Sequence, residues 1–184
     1  MLMVNKLIAQ ARGLSAVLVR RAASVSLDWD VRQKSRFDAT DSTGRVLGVF
    51  LPRGSVVRGG DVLVAEDGSL IAVQAAPQAV LVVTPCAQHG SPFDLVRAAY
   101  HLGNRHVALE LRADRLQLEP DHVLADMLRQ MHLTVTAQDA PFEPESGAYA
   151  AAGHAHHDGH EHSHEHEHEH EHNHEHDHDH GHAH

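Results

Sequence analysis

The chain ends in a tract in which histidine occupies nearly every second position. Residues 164–184 read HEHEHEHEHNHEHDHDHGHAH, so almost every side chain there is an imidazole or a carboxylate. Imidazole is the commonest protein ligand for borderline transition metals, and several rings on a flexible backbone can bend around one ion. The tract therefore predicts metal binding. The predicted ligands are the 16 histidines after Gly153, namely His154, His156, His157, His160, His162, His164, His166, His168, His170, His172, His174, His176, His178, His180, His182 and His184.

The tract indicates metal binding more strongly than it indicates which metal is bound. Nitrogen ligands favour Cu(II) over Ni(II) and also bind Zn(II), so histidines alone do not select nickel. The alternatives are a solvated polar end or a purification tag, but a tag is usually an uninterrupted run of histidines. We expect this tail to be disordered without metal, because it buries too little apolar surface to offset chain entropy.

Negative charge is concentrated in the same tail. The 184 residues include 15 Lys and Arg and 25 Asp and Glu, and residues 153–184 hold nine of the acidic side chains and none of the basic ones. The remaining body is nearly neutral with mixed charges, which argues against nucleic-acid binding. The single cysteine, Cys86, cannot form an internal disulfide, and no stretch approaches the roughly 18 apolar residues of a membrane span. We therefore expect a soluble, cytoplasmic protein that binds neither nucleic acid nor membrane.

The body must position any further site, and its first half has the pattern of a small β domain. From Ser24 to about Val83, short apolar stretches such as VSLDWDV (25–31) alternate with the turns DSTG, PRG, RGG and EDG. This pattern predicts a small β-barrel or sandwich. We expect antiparallel pairing, because no helical crossover fits into such short connections.

The second half has a different order of predicted elements, β-α-β-β-α-β. A strand at 79–85 precedes a helix that starts at Ser91-Pro92 and runs to about Leu102, with Leu95, Val96, Ala99 and Leu102 at helical spacing. A hairpin, a helix capped by Asp121 and a strand at 133–137 follow, which is the ferredoxin-like order. The predicted class is α+β: a β domain at 1–77, a ferredoxin-like domain at 78–147 and a disordered His-rich tail at 148–184.

Six segments together resemble one known family. They are RQKSRF (32–37), GVFLPRG (48–54), GDVLVAEDG (60–68), AYHLGNRHVALEL (99–111), HVLADMLRQM (122–131) and APFEPESGAYA (140–150). They are similar to UreE, the family of urease accessory nickel metallochaperones. The resemblance implies a peptide-binding-like N-terminal domain, a metal-binding C-terminal domain, and a homodimer. It further implies that the homodimer passes Ni(II) toward the urease apoprotein complex through the urease accessory GTPase.

The resemblance also implies a metal ligand in the body, His106, at the end of GNRH. In the family this histidine lies at the two-fold interface, so that His106 of each subunit would share one ion. Two imidazoles leave coordination positions open, which suits a carrier, whereas a structural site is closed. His122 is the second candidate. Some relatives have two histidines before this helix, but one of those positions is Pro120 here, so an exposed histidine after the Asp121 cap is the alternative.

The other histidines of the body are weaker candidates. Cys86 and His89 precede the first helix of the second half and could together hold Ni(II) or Cu(I), although a small buried thiol is the commoner arrangement. We expect His101 to pack within its helix. His132 stands where a glycine would stop the second helix, so we expect a structural role for it.

These features favour a nickel metallochaperone that carries Ni(II) as cargo, with Zn(II) or Cu(II) also able to bind. The alternative among binding proteins is a storage or buffering protein, in which the tail stores nickel or zinc and delivery is incidental. A metallo-hydrolase is the alternative from another class, but GNRH offers no general base beside His106. The chain also lacks a phosphate loop and a nucleophile elbow, so we expect no enzyme activity of its own.

Overall fold

The computed structural model describes residues 1–146. These residues form two β-sheets and four α-helices. No helix in this range is long and apolar enough to cross a lipid bilayer. The histidine-rich segment predicted at 148–184 lies outside the described residues.

The N-terminal part of the chain is built mostly from strands. Two short helices, α1 (Ala16–Arg21) and α2 (Trp29–Arg32), interrupt the series. The strands are β1 (Leu2–Ile8), β2 (Ala23–Leu27), β3 (Arg36–Thr40), β4 (Val46–Phe50), β5 (Val62–Ala65) and β6 (Leu70–Ala75). They form one barrel-like sheet in the order β2-β6-β5-β1-β4-β3, and their buried faces meet in a core that includes Val4, Leu47 and Ile71.

Strand pairing in this sheet is mixed, so the expectation of antiparallel pairing is wrong in part. β1 pairs with β4 and β2 pairs with β6 in parallel, while the other neighbours are antiparallel. Parallel neighbours need a long crossover, which short turns cannot provide. Here the parallel partners are not consecutive, and the intervening strands and helices supply the crossover.

Two segments of the N-terminal part differ from their predicted structure. VSLDWDV does not form one strand: β2 ends at Leu27, and the Asp28 carboxylate accepts a hydrogen bond from the Val31 backbone N–H at 2.9 Å, which caps α2. No strand was predicted at residues 2–8, yet β1 lies inside the sheet between β4 and β5. The alternating burial of β1 is weak, and its long-range pairing is what makes it a strand.

The C-terminal part has the predicted order of elements. They are β7 (Pro77–Pro85), α3 (Pro92–Gly103), β8 (Leu109–Leu111), β9 (Leu116–Leu118), α4 (His122–Gln130) and β10 (Leu133–Pro141). Its sheet has the order β10-β7-β9-β8 with antiparallel pairing throughout, which is the arrangement of a split βαβ unit. The Asp94 carboxylate accepts from the Ser91 backbone N–H at 2.8 Å, and the Asp121 carboxylate accepts from that of Leu124 at 2.9 Å. Both predicted helix starts are therefore confirmed.

The segment that follows β10 ties the two sheets together. Phe142 is fully buried, and its ring forms a T-shaped pair with the ring of Trp29, with 6.3 Å between centroids. Next to it, the carboxylate of Glu143 accepts hydrogen bonds from Arg32 Nη1 and the Gly59 backbone N–H, each at 2.8 Å. Arg58 Nη1 donates to the other oxygen of that carboxylate at 3.3 Å. Glu143 thus joins the C-terminal part to two places in the N-terminal part.

We predict that Glu143→Gln lowers the free energy of unfolding by about 3 kcal/mol, because the guanidinium of Arg32 is fully buried and would lose its counter-ion. The control is Asp126→Asn, which removes an ion pair with Arg129 whose side chains are both more than half exposed. That change should cost less than about 1 kcal/mol. Urea denaturation measures both. An equal decrease in the free energy of unfolding in the two variants would contradict the role of Glu143 as counter-ion to the buried Arg32.

Candidate metal centre

His106 lies in the turn that ends helix α3. Its backbone N–H donates to the Gly103 carbonyl at 2.9 Å, and the N–H of Val107 donates to the Leu102 carbonyl at 3.2 Å. This pair of bonds is the Schellman motif, with His106 at the position that is usually glycine. Val107 packs against the core cluster that contains Leu102, which is the apolar contact that accompanies the motif.

The backbone of His106 is left-handed, with φ of 56°. A residue with a Cβ atom in this conformation costs about 1–2 kcal/mol, and glycine does not bear that cost. Strain of this kind persists where the surrounding structure imposes it and often coincides with function. The turn therefore carries an imidazole at a position where a side chain is unfavourable for stability.

The ring of His106 is exposed. Within residues 1–146, no three His, Cys, Asp or Glu side chains are grouped so that they could hold an ion. A single imidazole binds a transition metal weakly, so any firm site at His106 needs ligands from outside this part of the chain.

An apolar stripe on α3 leads toward this turn. Phe93, Val96 and Tyr100 are 65%, 60% and 66% exposed, and their spacing of three and four residues places them on one face of the helix. The opposite face buries Leu95, Ala98 and Leu102, so Val96, although it contributes to the predicted helical spacing, does not share their face. We name Phe93, Val96 and Tyr100 the α3 stripe. The sequence signal for it was present, because α3 carries two sets of apolar residues rather than one.

Comparison with known proteins identifies the family. Residues 4–76 match the family model described as UreE urease accessory protein, N-terminal domain, and residues 78–172 match that of the C-terminal domain. The chain belongs to the UreE urease accessory protein family. The resemblance inferred from the six sequence segments is therefore confirmed.

Individual UreE relatives are similar over most of their length. The urease accessory protein UreE of Paracidovorax citrulli is 77% identical over 154 residues, which cover 84% of this chain and 73% of the relative. The UreE of Albidiferax ferrireducens is 72% identical over 160 residues, which cover 86% of this chain and 92% of the relative. The UreE of Verminephrobacter eiseniae is 63% identical over 163 residues, which cover 87% of this chain and 97% of the relative.

Family membership establishes a two-domain UreE architecture and a role in urease maturation. The N-terminal domain is mostly stranded and the C-terminal domain is mixed α/β, as the two sheets show. UreE is a family of accessory proteins rather than enzymes, so the prediction that the chain is not an enzyme is confirmed.

The structure places the other body histidines at separate points of this UreE fold. His122 is the first residue of α4, directly after its Asp121 cap, and is exposed. His101 is half-buried, and its ring contacts that of Tyr100 at 5.4 Å between centroids. His132 follows α4 with φ of 62°, the left-handed conformation expected of a helix stop. The tail histidines lie outside the described residues, so their ligand role stays a prediction.

Cys86 and His89 are two candidate ligands that the structure does bring together. They lie in the loop between β7 and α3, with 3.6 Å between Cys86 Sγ and His89 Nδ1. The backbone N–H groups of Gln88 and His89, followed by the His89 ring, lower the pKa of Cys86 to about 7, because they stabilise the thiolate. The thiol is half-buried rather than enclosed, so the expectation of a small buried thiol is not met.

We predict that His106→Gly folds more stably than His106→Ala by about 1 kcal/mol, because both remove the imidazole but only glycine relieves the left-handed strain. The same pair of substitutions at His132 should show the same sign. Arg97, exposed in the middle of α3, is the control: there Gly should be less stable than Ala by about 1 kcal/mol. Chemical denaturation measures the free energy of unfolding of the six variants. Equal values for His106→Ala and His106→Gly would show that the turn is not strained.

Proposed function

We propose that the chain is a nickel metallochaperone that binds Ni(II) as cargo and delivers it for assembly of the urease active site. Membership of the UreE family and the role in urease maturation support this proposal. The observation that carries it is His106: an exposed imidazole on a left-handed residue, without a partner ligand in the described part of its own chain. Such a ring is available to an ion that a second protein molecule also holds.

A homodimer would complete the site. Two copies of His106 facing each other across a two-fold axis supply two imidazoles, and the remaining coordination positions stay open to water or to the ligands of a recipient. Open positions allow exchange of the ion by ligand substitution. A carrier needs this property, and a storage site that encloses its metal lacks it.

The α3 stripe is the surface that would form the dimer. Phe93, Val96 and Tyr100 lie on the helix whose C-terminal turn holds His106, and burial of each such side chain contributes about 1.5–3 kcal/mol. A symmetric interface buries the stripe of both subunits. The same contact would bring the two turns toward the axis, so dimerisation and assembly of the metal site would be one event.

The tail acts in this proposal as a collector of ions for the His106 pair. Its 16 histidines and nine carboxylates attract cations, and they would also take up Zn(II) or Cu(II).

Delivery requires recipients, which we propose are the urease accessory GTPase and the urease apoprotein complex in the cytoplasm. The division into domains at 1–77 and 78–147 remains part of the proposal, with the first as the peptide-binding-like domain.

We predict that a chain lacking residues 154–184 still binds one nickel ion tightly per two chains. His106→Ala in this shortened chain should remove that ion, because the substitution is present in both subunits and removes both rings of the proposed ligand set. His132→Ala is the matched control, since His132 is also exposed and left-handed, and it should retain the ion. Calorimetric titration with nickel, with the subunit mass measured at each step, gives the stoichiometry.

Activation of urease separates the carrier from a storage or buffering protein. At ample nickel the carrier should activate urease without its tail and should fail with His106→Ala. If instead the tail is required and His106→Ala activates normally, the chain stores nickel and the carrier proposal is wrong.

We predict that Val96→Asp shifts the homodimer toward monomers, because it places a carboxylate inside the proposed apolar interface. The dimer dissociation constant should rise at least about tenfold, which corresponds to 1.4 kcal/mol. Val17→Asp on α1 is the control, since Val17 is also an exposed valine on a helix, 48% exposed, and lies outside the α3 stripe. Sedimentation at several protein concentrations measures both. A Val96→Asp protein that dimerises like the unsubstituted chain would rule out this interface.

A further inference from the structure

The loop between β7 and α3 holds a thiol and an imidazole at chelating distance. Cys86 is the sole cysteine of the chain, and its sulfur lies 3.6 Å from His89 Nδ1. Thiolate and imidazole are the ligands that zinc prefers in proteins. The pair is outside the turn that carries His106, so it is a separate candidate site.

The backbone fixes the separation of these two side chains. The Gly90 N–H donates to the Cys86 carbonyl at 2.8 Å, which closes the loop into a tight turn. A Cβ atom on residue 90 would collide with the backbone nitrogen and oxygen of Cys86, so glycine is required for this closure. Beyond Gly90, the bond from Ser91 to Asp94 anchors the loop to the start of α3. The two donor groups are therefore held near each other before any ion arrives.

The distance between the donor atoms discriminates between coordination geometries. With Zn–S of about 2.3 Å and Zn–N of about 2.0–2.1 Å, a tetrahedral angle separates sulfur and nitrogen by about 3.6 Å. A right angle, as in square-planar or octahedral coordination, would need about 3.1 Å with the same bond lengths. The observed 3.6 Å, at which the two atoms are hydrogen-bonded, equals the separation that a tetrahedral ion requires.

We propose that Cys86 and His89 form a two-ligand site for a tetrahedral divalent ion, namely zinc. On binding, the thiol gives its proton to solvent and the sulfur lone pair forms the bond to the metal, while the neutral ring donates through Nδ1. Water occupies the two remaining positions, so the ion stays exchangeable. The site differs from the nickel centre at His106 in ligands, geometry and metal, and does not depend on the proposed function.

Cobalt is the probe, because it replaces zinc in tetrahedral sites and absorbs light when bound to sulfur. Since Cys86 is the sole thiol, a sulfur-to-cobalt charge-transfer band in the full-length chain reports on this site alone, even with the tail histidines present. We expect the band in the unsubstituted chain and its loss in Cys86→Ser. His89→Ala should raise the half-saturating cobalt concentration at least about tenfold. His132→Ala and His106→Ala should leave the band unchanged.

Competition between metals tests the geometry. With free metal ions set by a chelator buffer, zinc should abolish the cobalt band at a lower free concentration than nickel does, and zinc should slow alkylation of Cys86 by iodoacetamide. Absence of the band, an unchanged half-saturation in His89→Ala, or displacement by nickel at or below the zinc concentration would each overturn the proposal. Loss of nickel binding at His106 would leave these outcomes unaffected, so the two proposals can fail separately.

Discussion

The buried guanidinium of Arg32 is the constraint on which the junction of the two domains depends. A charge fully removed from water must be paired and hydrogen-bonded, or the fold loses several kcal/mol. Arg32 meets this need with the Leu27 carbonyl, the Phe142 carbonyl and the Glu143 carboxylate. Two of these three partners belong to the segment after β10, so the chain must return from the C-terminal sheet to the N-terminal one.

The same segment is tied to the C-terminal sheet from its other side. The Glu143 N–H donates to the carboxylate of Glu110 at 2.6 Å, and Glu110 is itself buried in β8 and paired with Arg112. Among residues 1–146, no buried side-chain nitrogen or oxygen lacks a hydrogen-bond partner. The polar groups of the junction thus form hydrogen bonds with one another. A fully hydrogen-bonded network of this kind favours one arrangement of the two domains, which apolar contacts alone would not do.

Local features of the fold were predictable, and those that depend on distant partners were not. Ser91 and Asp121 mark helix starts because caps act over three residues, and both predictions are confirmed. β1 became a strand only through β4 and β5, and Arg32 meets Glu143 across 111 positions of the chain, so neither is visible in a short window.

The candidate site divides in the same way. His106 was found through a sequence motif, but its left-handed backbone was not predicted, because histidine is an uncommon residue at that position of a Schellman turn. The exposure of Val96 was not predicted, because helical spacing alone does not say which apolar residues face the core. The spacing of Cys86 and His89 suggested a pair, and only the loop closure at Gly90 gives their separation.

Helix α3 also determines the distance between the two candidate metal sites of one chain. It contains 12 residues, which at 1.5 Å per residue span about 18 Å. The Cys86 loop precedes this rod and the His106 turn follows it, so their donor atoms are separated by far more than one coordination sphere. Within one chain, no ion can be held by both sets at once. An ion bound at one end of the helix would therefore leave the ligands at the other end of the same chain available to a second ion.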